Sequence, residues 1–459
     1  MKKFSKKLLP VAVLSMVAFG SLTSGSMSTA EAKMSKKGPE VKNVIFLIGD
    51  GMGVSYTSAY RYLKDDPSTK GAERTAFDPY AVGTQMTYPE DPDQSVTDSA
   101  SAATAMAAGI KTYNNAISVD NDGSEVKTIL EAAKEKGKST GIVATSEITH
   151  ATPAAYGAHD EYRKNMDAIA EDYFDETIKG NHKIDVMLGG GMTNFVREDR
   201  NIANEFTKDG YSYVKDKKQL EKNNNEQVIG LFADGGLPKM IDRPDSTPSL
   251  EDMTKQAIDR LKSDKDGFFL MVEGSQIDWA GHDNDIVAAM SEMKDFEKAF
   301  QAAIDYAKKD KHTLVVATAD HSTGGFSVAA NGDYNWNPEP IKAAERTPDF
   351  MAAEIANGKA VEATLKKYIN QDKLALTPKE IQSVKDAVAH GQTAIDNAIE
   401  KIFDVRSNTG WTTGGHTGED VPVYAYGPGR ENFIGTIDNT DNAKILYDLL
   451  KYKIRIEDK

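Results

Sequence analysis

Short apolar runs punctuate a largely polar chain. Five of them, at 44–48, 140–144, 184–188, 268–272 and 314–317, are rich in Val, Ile, Leu, Met and Phe. Runs of this length without clear alternation read as strands buried on both faces. Between them, 250–262 and 286–308 repeat apolar residues at helical spacing. Strand and helix in alternation predict an α/β fold: a large, mostly parallel central sheet covered by helices on both sides. Two stretches break the pattern. Residues 330–407 open on a loop with Tyr334, Trp336, Pro338 and Pro340 and continue as polar amphipathic helices without a clear strand. They predict a helical and loop insertion set on the edge or top of the sheet. Residues 194–245 are polar, with Asn at 223–225, and predict surface excursions.

The N-terminus follows a different logic. Lys2, Lys3, Lys6 and Lys7 precede an apolar run from Leu8, then small polar residues, then Ala30-Glu31-Ala32. That order predicts a secretory signal peptide over 1–32 and a secreted or cell-surface mature chain over 33–459, read as one catalytic domain. The apolar run falls short of the ~20 residues a spanning helix needs, so no transmembrane anchor is expected. Residues 33–38 are basic and predict a mobile start. The whole chain carries a formal charge of −15, and loss of four Lys and one Glu makes the mature form −18. So acidic a surface argues against nucleic acid as a partner, since its binding relies on clustered Lys and Arg. With no Cys, neither a disulfide nor a lipoprotein anchor can form.

Three apolar runs end in acids. The run 44–48 leads into Gly49-Asp50, 268–272 into Glu273, and 314–317 into Asp320-His321. Carboxylates at the C-terminal ends of parallel strands occupy the edge where open α/β sheets bind ligands. Together they would repel unless a cation sits among them, which points to divalent metal. Asp278 and His282 stand four residues apart, a spacing that can place both on one helix face. His416 lies in Gly414-Gly415-His416-Thr417-Gly418, where glycines could bring the imidazole close to a crowded centre. Mixed His and carboxylate donors suit zinc, whereas all-oxygen sets suit magnesium. His159, His182, His312 and His390 read as surface or hydrogen-bonded residues. Residues 98–109 read as an Ala-rich helix starting at Asp98 or Ser99 and stopping at Gly109. A Ser at a helix N-terminus sits in a field that favours its alkoxide and an incoming phosphate. Ser101 is an alternative nucleophile, deeper in the helix.

Several blocks together resemble alkaline phosphatases. They are Asn-Val-Ile-Phe-Leu-Ile-Gly-Asp-Gly-Met-Gly at 43–53, the Asp-Ser-Ala core at 98–100, His-Ala-Thr-Pro at 150–153 followed by Arg163, then 272–282, 318–321 and 414–418. The resemblance implies Ser99 as the phosphorylated nucleophile, Arg163 as a bidentate phosphate clamp and Asp98 as the residue orienting it. It implies two Zn²⁺, one on Asp278, His282 and His416, the other on Asp50, Asp320 and His321. It also implies one Mg²⁺ on Asp50, Thr152 and Glu273. Partners implied are phosphate monoesters and inorganic phosphate, with a homodimer compatible with the family. His150 and Trp279 depart from the pattern of many Gram-negative members, which carry Asp and Lys there. The lost carboxylate puts the identity of the third metal in doubt, and the lost Lys removes a cation near the phosphate. The competing readings are another hydrolase of the superfamily, such as a phosphodiesterase, or a secreted metal- and phosphate-binding protein without turnover.

Overall fold

The structure, a computed structural model, describes residues 40–452; the expected leader over 1–32 and the start at 33–38 lie outside the described residues. Among the described residues ten strands form one sheet: β1 (Asn43–Gly49), β2 (Ala81–Met86), β3 (Ser139–Glu147), β4 (Val186–Gly190), β5 (Ser212–Val214), β6 (Val228–Leu231), β7 (Phe268–Gly274), β8 (Thr313–Thr318), β9 (Val421–Tyr426) and β10 (Gly435–Asp438). Their spatial order is β10-β2-β9-β8-β1-β7-β3-β4-β6-β5. Only β9 runs against the rest, pairing antiparallel with both β8 and β2. The α/β, mostly parallel reading of the sequence therefore describes the fold.

Alternate residues of the central strands feed two separate cores. Ile45, Leu47, Val143, Leu270, Val272, Val315 and Ala317 belong to one, and Val44, Phe46, Ile48, Ile142, Phe269, Met271, Leu314 and Val316 to the other. A strand covered on both sides has no polar face to alternate with, which is why these segments read as unbroken apolar runs. Helix α1 (Ser99–Ala108) is buried all round and packs on α2 (Ala151–Gly157). Its run of Ala lets that neighbour approach closely. Helix α3 (Leu250–Leu261) and the long α5 (Ile286–Asp310) cover the opposite face, and α4 (Gln276–Asp283) sits at the strand ends.

Residues 330–407 hold five α-helices and no strand of the large sheet: α6 (Glu339–Lys342), α7 (Pro348–Ala356), α8 (Val361–Tyr368), α9 (Pro378–Ala387) and α10 (Gln392–Ser407). Residues 194–245 correct the sequence reading. They are not merely surface excursions, for they supply β5 and β6 and so complete one edge of the sheet. The apolar run Val-Ile-Gly-Leu of β6 is only four residues long and follows an Asn-rich polar stretch, which hides it. Among the described residues no helix is long and apolar enough to cross a membrane.

Candidate active site

Strand order explains why distant acids meet. β8, β1 and β7 are adjacent and in register, with Ile48 opposite both Thr318 and Glu273. Neighbouring strands lie only ~4.8 Å apart, so Asp50, Glu273 and Asp320 are brought to one short stretch of sheet edge. All three are fully buried. The turn after β1 depends on Gly51, whose φ is +70° and whose missing Cβ would stand 2.6 Å from Thr323 Oγ1 and 2.9 Å from the backbone of Asp278. Its N–H donates to Asp320 Oδ1 at 3.0 Å, tying two of the acid-bearing turns together.

Two groups of metal-suited side chains form beside Ser99. In one, oxygens of Asp50 and Asp320 and a nitrogen of His321 lie within 4.8 Å of one another. His321 Nε2 is 3.4 Å from Asp50 Oδ1 and 3.2 Å from Asp320 Oδ2. In the other, Asp278 gathers His282 at 3.3 Å and His416 at 3.5 Å. Helix α4 puts Asp278 and His282 on one face, as their spacing predicts. His282 Nδ1 donates to the carbonyl of Gly414 at 2.7 Å and His416 Nδ1 to that of Thr97 at 2.9 Å. With both rings neutral their Nε2 atoms are left as acceptors, 3.1 Å apart, and the hydrogen bond to Asp278 pushes His282 up to about 9, so that without a cation this ring takes up a proton instead. Two lone pairs facing each other repel, and a cation between them turns repulsion into ligation. The glycines before His416 matter less than their sequence suggests. A Cβ on Gly415 would meet nothing closer than 3.6 Å, and that on Gly414 only a carbonyl at 3.2 Å.

A third group comprises Asp50, Glu273 and one nitrogen of His150. Thr152 sits in the first turn of α2, two residues beyond His150. Both carboxylate oxygens of Asp50 and of Glu273, with Asp320 Oδ2, Thr152 Oγ1 and His150 Nδ1, are buried without a hydrogen-bond partner. Burial and the charge of neighbouring Asp320 push Glu273 up to about 8, and burial with the charges of Asp320, Asp278 and Glu273 holds Asp50 well above the usual carboxylate range. Buried carboxylates in this number are stable only when ligated or protonated. The donor chemistry therefore fits divalent metals at this edge.

Ser99 opens α1 with Asp98 as its N-cap, and its Oγ is 3.2 Å from His321 Nε2. Asp98 Oδ1 accepts from the backbone of Ser101, while Oδ2 accepts from Arg163 Nη1 at 2.9 Å and from the backbone of Asn115. Arg163 Nη2 donates to His150 Nε2 at 3.2 Å. Burial, then the charge of Arg163, pushes His150 down to about 3, so it is neutral. With Nε2 accepting, its proton lies on the unpartnered Nδ1. Ser101 is otherwise engaged, its hydroxyl donating to Asn114 and 2.6 Å from Thr97 Oγ1. The ring of Trp279 stands edge-on to His150 at 5.7 Å, and Lys239 Nζ lies 5.9 Å over that same indole.

Asn114 and Asn115, which hold the Asp98 turn, escape a reading of the sequence alone. The pair signals only a turn, which the φ of +78° at Asn115 confirms, and not what the turn grips. His159 accords with its structural reading, bonded to Ser118 O and Glu131, as does His182, bonded to Phe174 O and Asp209.

Comparisons with known proteins bear on this geometry. Residues 41–452 match the family model described as alkaline phosphatase. The chain is 71% identical to alkaline phosphatase 3 of Bacillus subtilis over the full length of both. The crystal structure of a cold-active alkaline phosphatase from a psychrophilic Shewanella species superposes with a TM-score of 0.83 at 42% identity, covering 89% of this chain and 99% of that one. A His-to-Asp mutant of the alkaline phosphatase from the Antarctic bacterium TAB5, described with Mg bound in its M3 site, gives 0.66 at 31% identity over 91% and 100%.

Proposed function

We propose, from the premise that this chain belongs to the alkaline phosphatase family and hydrolyses phosphate monoesters, that it does so through a phosphoserine at Ser99. The observation that carries this reading is the position of Ser99 Oγ. It lies at a helix N-terminus, 3.2 Å from His321 and beside carboxylates that lack partners. Ser99 Oγ attacks phosphorus in line as the ester P–O bond breaks and the alcohol leaves; water then displaces the serine and inorganic phosphate departs. The positive end of α1 favours both the alkoxide and the phosphoryl oxygens. Asp98 holds one arm of the Arg163 guanidinium so that the fork meets two phosphate oxygens of a dianion. When Arg163 turns to phosphate it releases His150 Nε2, which links phosphate binding to the third group. Two zinc ions, on Asp278, His282 and His416 and on Asp50, Asp320 and His321, with a third metal on Asp50, Thr152 and Glu273, would neutralise charge on the attacking and leaving oxygens.

The TAB5 mutant with magnesium carries Asp in place of a His, which supports reading His150 as the residue that sets the third metal's identity. Secretion after cleavage near Ala32, a single catalytic domain over 33–459 with 330–407 as an insertion, and a homodimer complete the reading; N-terminal sequencing and sedimentation of protein from culture medium test the first and last. Ser99→Ala tests the chemistry. It should retain metal and phosphate binding while turnover falls at least roughly 10³-fold. Full turnover in that variant would end the serine assignment.

A further inference from the structure

Away from Ser99 lies a second acidic centre, where α10 meets the joint between α4 and α5. Asp396 and Glu400 stand one helical turn apart on α10, and Asp283 closes α4. One oxygen from each of the three lies within 4.8 Å of the others. Asp396 and Glu400 are only 4% and 6% exposed, and Asp396 Oδ1 and Glu400 Oε1 are buried without a hydrogen-bond partner. Asp349 of α7 lies close to Asp396. Around the three stand two further acids that are already occupied. Asp285 Oδ1 caps α5 through the N–H groups of Val287 and Ala288, and Asp404 Oδ1 accepts from Trp411 Nε1 at 3.0 Å. The charge of Lys239 acts on Asp283 and Asp285.

Acids on an amphipathic helix usually face water. Here the helix turns them inward against other acids, and the cost of burying them uncompensated is several kcal/mol per charge. Burial, then the charges of Asp285 and Asp396, pushes Glu400 up to about 10. The donors are all oxygen with no His among them, which excludes zinc's preferred chemistry and suits a hard cation. Three converging carboxylates are more than magnesium ordinarily takes from protein, because it keeps most of its waters, whereas calcium accepts flexible carboxylate sets. Asp283 is exposed and offers a route in.

We propose that Asp283, Asp396 and Glu400 form a calcium site that clamps α10 to the end of α4. Asp283 directly follows His282, so the ion braces the helical segment against the turn that carries an active-site ligand without joining the chemistry. The test uses the full mature protein with zinc and magnesium held saturating, titrated with calcium while its melting temperature is followed, and with Tb³⁺ while its luminescence is followed through nearby Trp411. Calcium should raise the melting temperature of the parent by mass action. Glu400→Gln and Asp396→Asn should each weaken calcium and Tb³⁺ binding at least about tenfold, raise the calcium-free melting temperature by relieving repulsion, and leave zinc content unchanged. Equal affinity in parent and both variants, or no response of the parent to calcium, would overturn the site in favour of carboxyls that share protons. A response to magnesium alone would overturn the choice of ion.

Discussion

The two metal-suited groups beside Ser99 have nearly the same donors and differ in their exposure to water. Asp50, Asp320 and His321 are wholly buried, and the turns that carry them leave adjacent strands of a sheet packed on both faces. In the other group Asp278 is buried, but the side chain of His282 is 41% exposed and that of His416 13%, and these residues come from a short helix and a two-residue strand paired with 322–323. The buried group is held in place by two cores; the imidazoles of the open group are oriented by two imidazole-to-carbonyl hydrogen bonds. This division suits a two-step displacement. A serine nucleophile is best met by a rigid, dry site, while the leaving alcohol and the second-step water need access.

The largest test of that contrast is removal of a central acid. Asp320→Ala should lower kcat/KM by roughly 10³-fold or more and remove one metal, with no recovery at high zinc. Kinetics with metal analysis of the purified variant checks both. Near-parental activity would mean that the buried group serves structure alone. Chelation should act unequally: the open group empties first with loss of turnover and a modest fall in Tm, and the buried group follows slowly with a larger fall. Time-resolved metal content beside calorimetry reads the order, and simultaneous release would erase the distinction.

Smaller effects sharpen it further. His282→Ala leaves a hole open to solvent, so added imidazole should restore activity about tenfold, whereas His321→Ala, sealed in the sheet edge, should not respond. Equal rescue of both would refute the difference in access. The smallest change is at the third group. His150→Asp should make activity more responsive to magnesium, and Trp279→Lys should tighten inorganic phosphate through a charge-assisted contact worth ~1.5–3 kcal/mol. Magnesium activation curves and phosphate inhibition constants for both variants check this. If neither moves, the edge-on pair of His150 and Trp279 does not face the reaction.

Much of the centre was legible because the sequence places chemistry where backbone geometry must bring it together. An acid after a buried run falls at a strand end, and a four-residue gap on a helix means one face. What could not be read depends on tertiary neighbours. The turn of Asn114 and Asn115 gains meaning only once Asp98 is known to sit in it. β6 is too short to declare itself, and the antiparallel β9 gives no local sign of its direction. Asp396 and Glu400 fall in a stretch legible only as polar amphipathic helix, since nothing nearby in the chain reveals that Asp283, more than a hundred residues earlier, lies beside them.

The most direct measurement is to trap the covalent intermediate. The enzyme is incubated with labelled inorganic phosphate at low pH, quenched in acid and digested, and the labelled peptide is sequenced. Phosphate on Ser99, absent from Ser99→Ala, is the expected result. Label on Ser101, or full turnover with no label anywhere, would contradict the phosphoserine at Ser99.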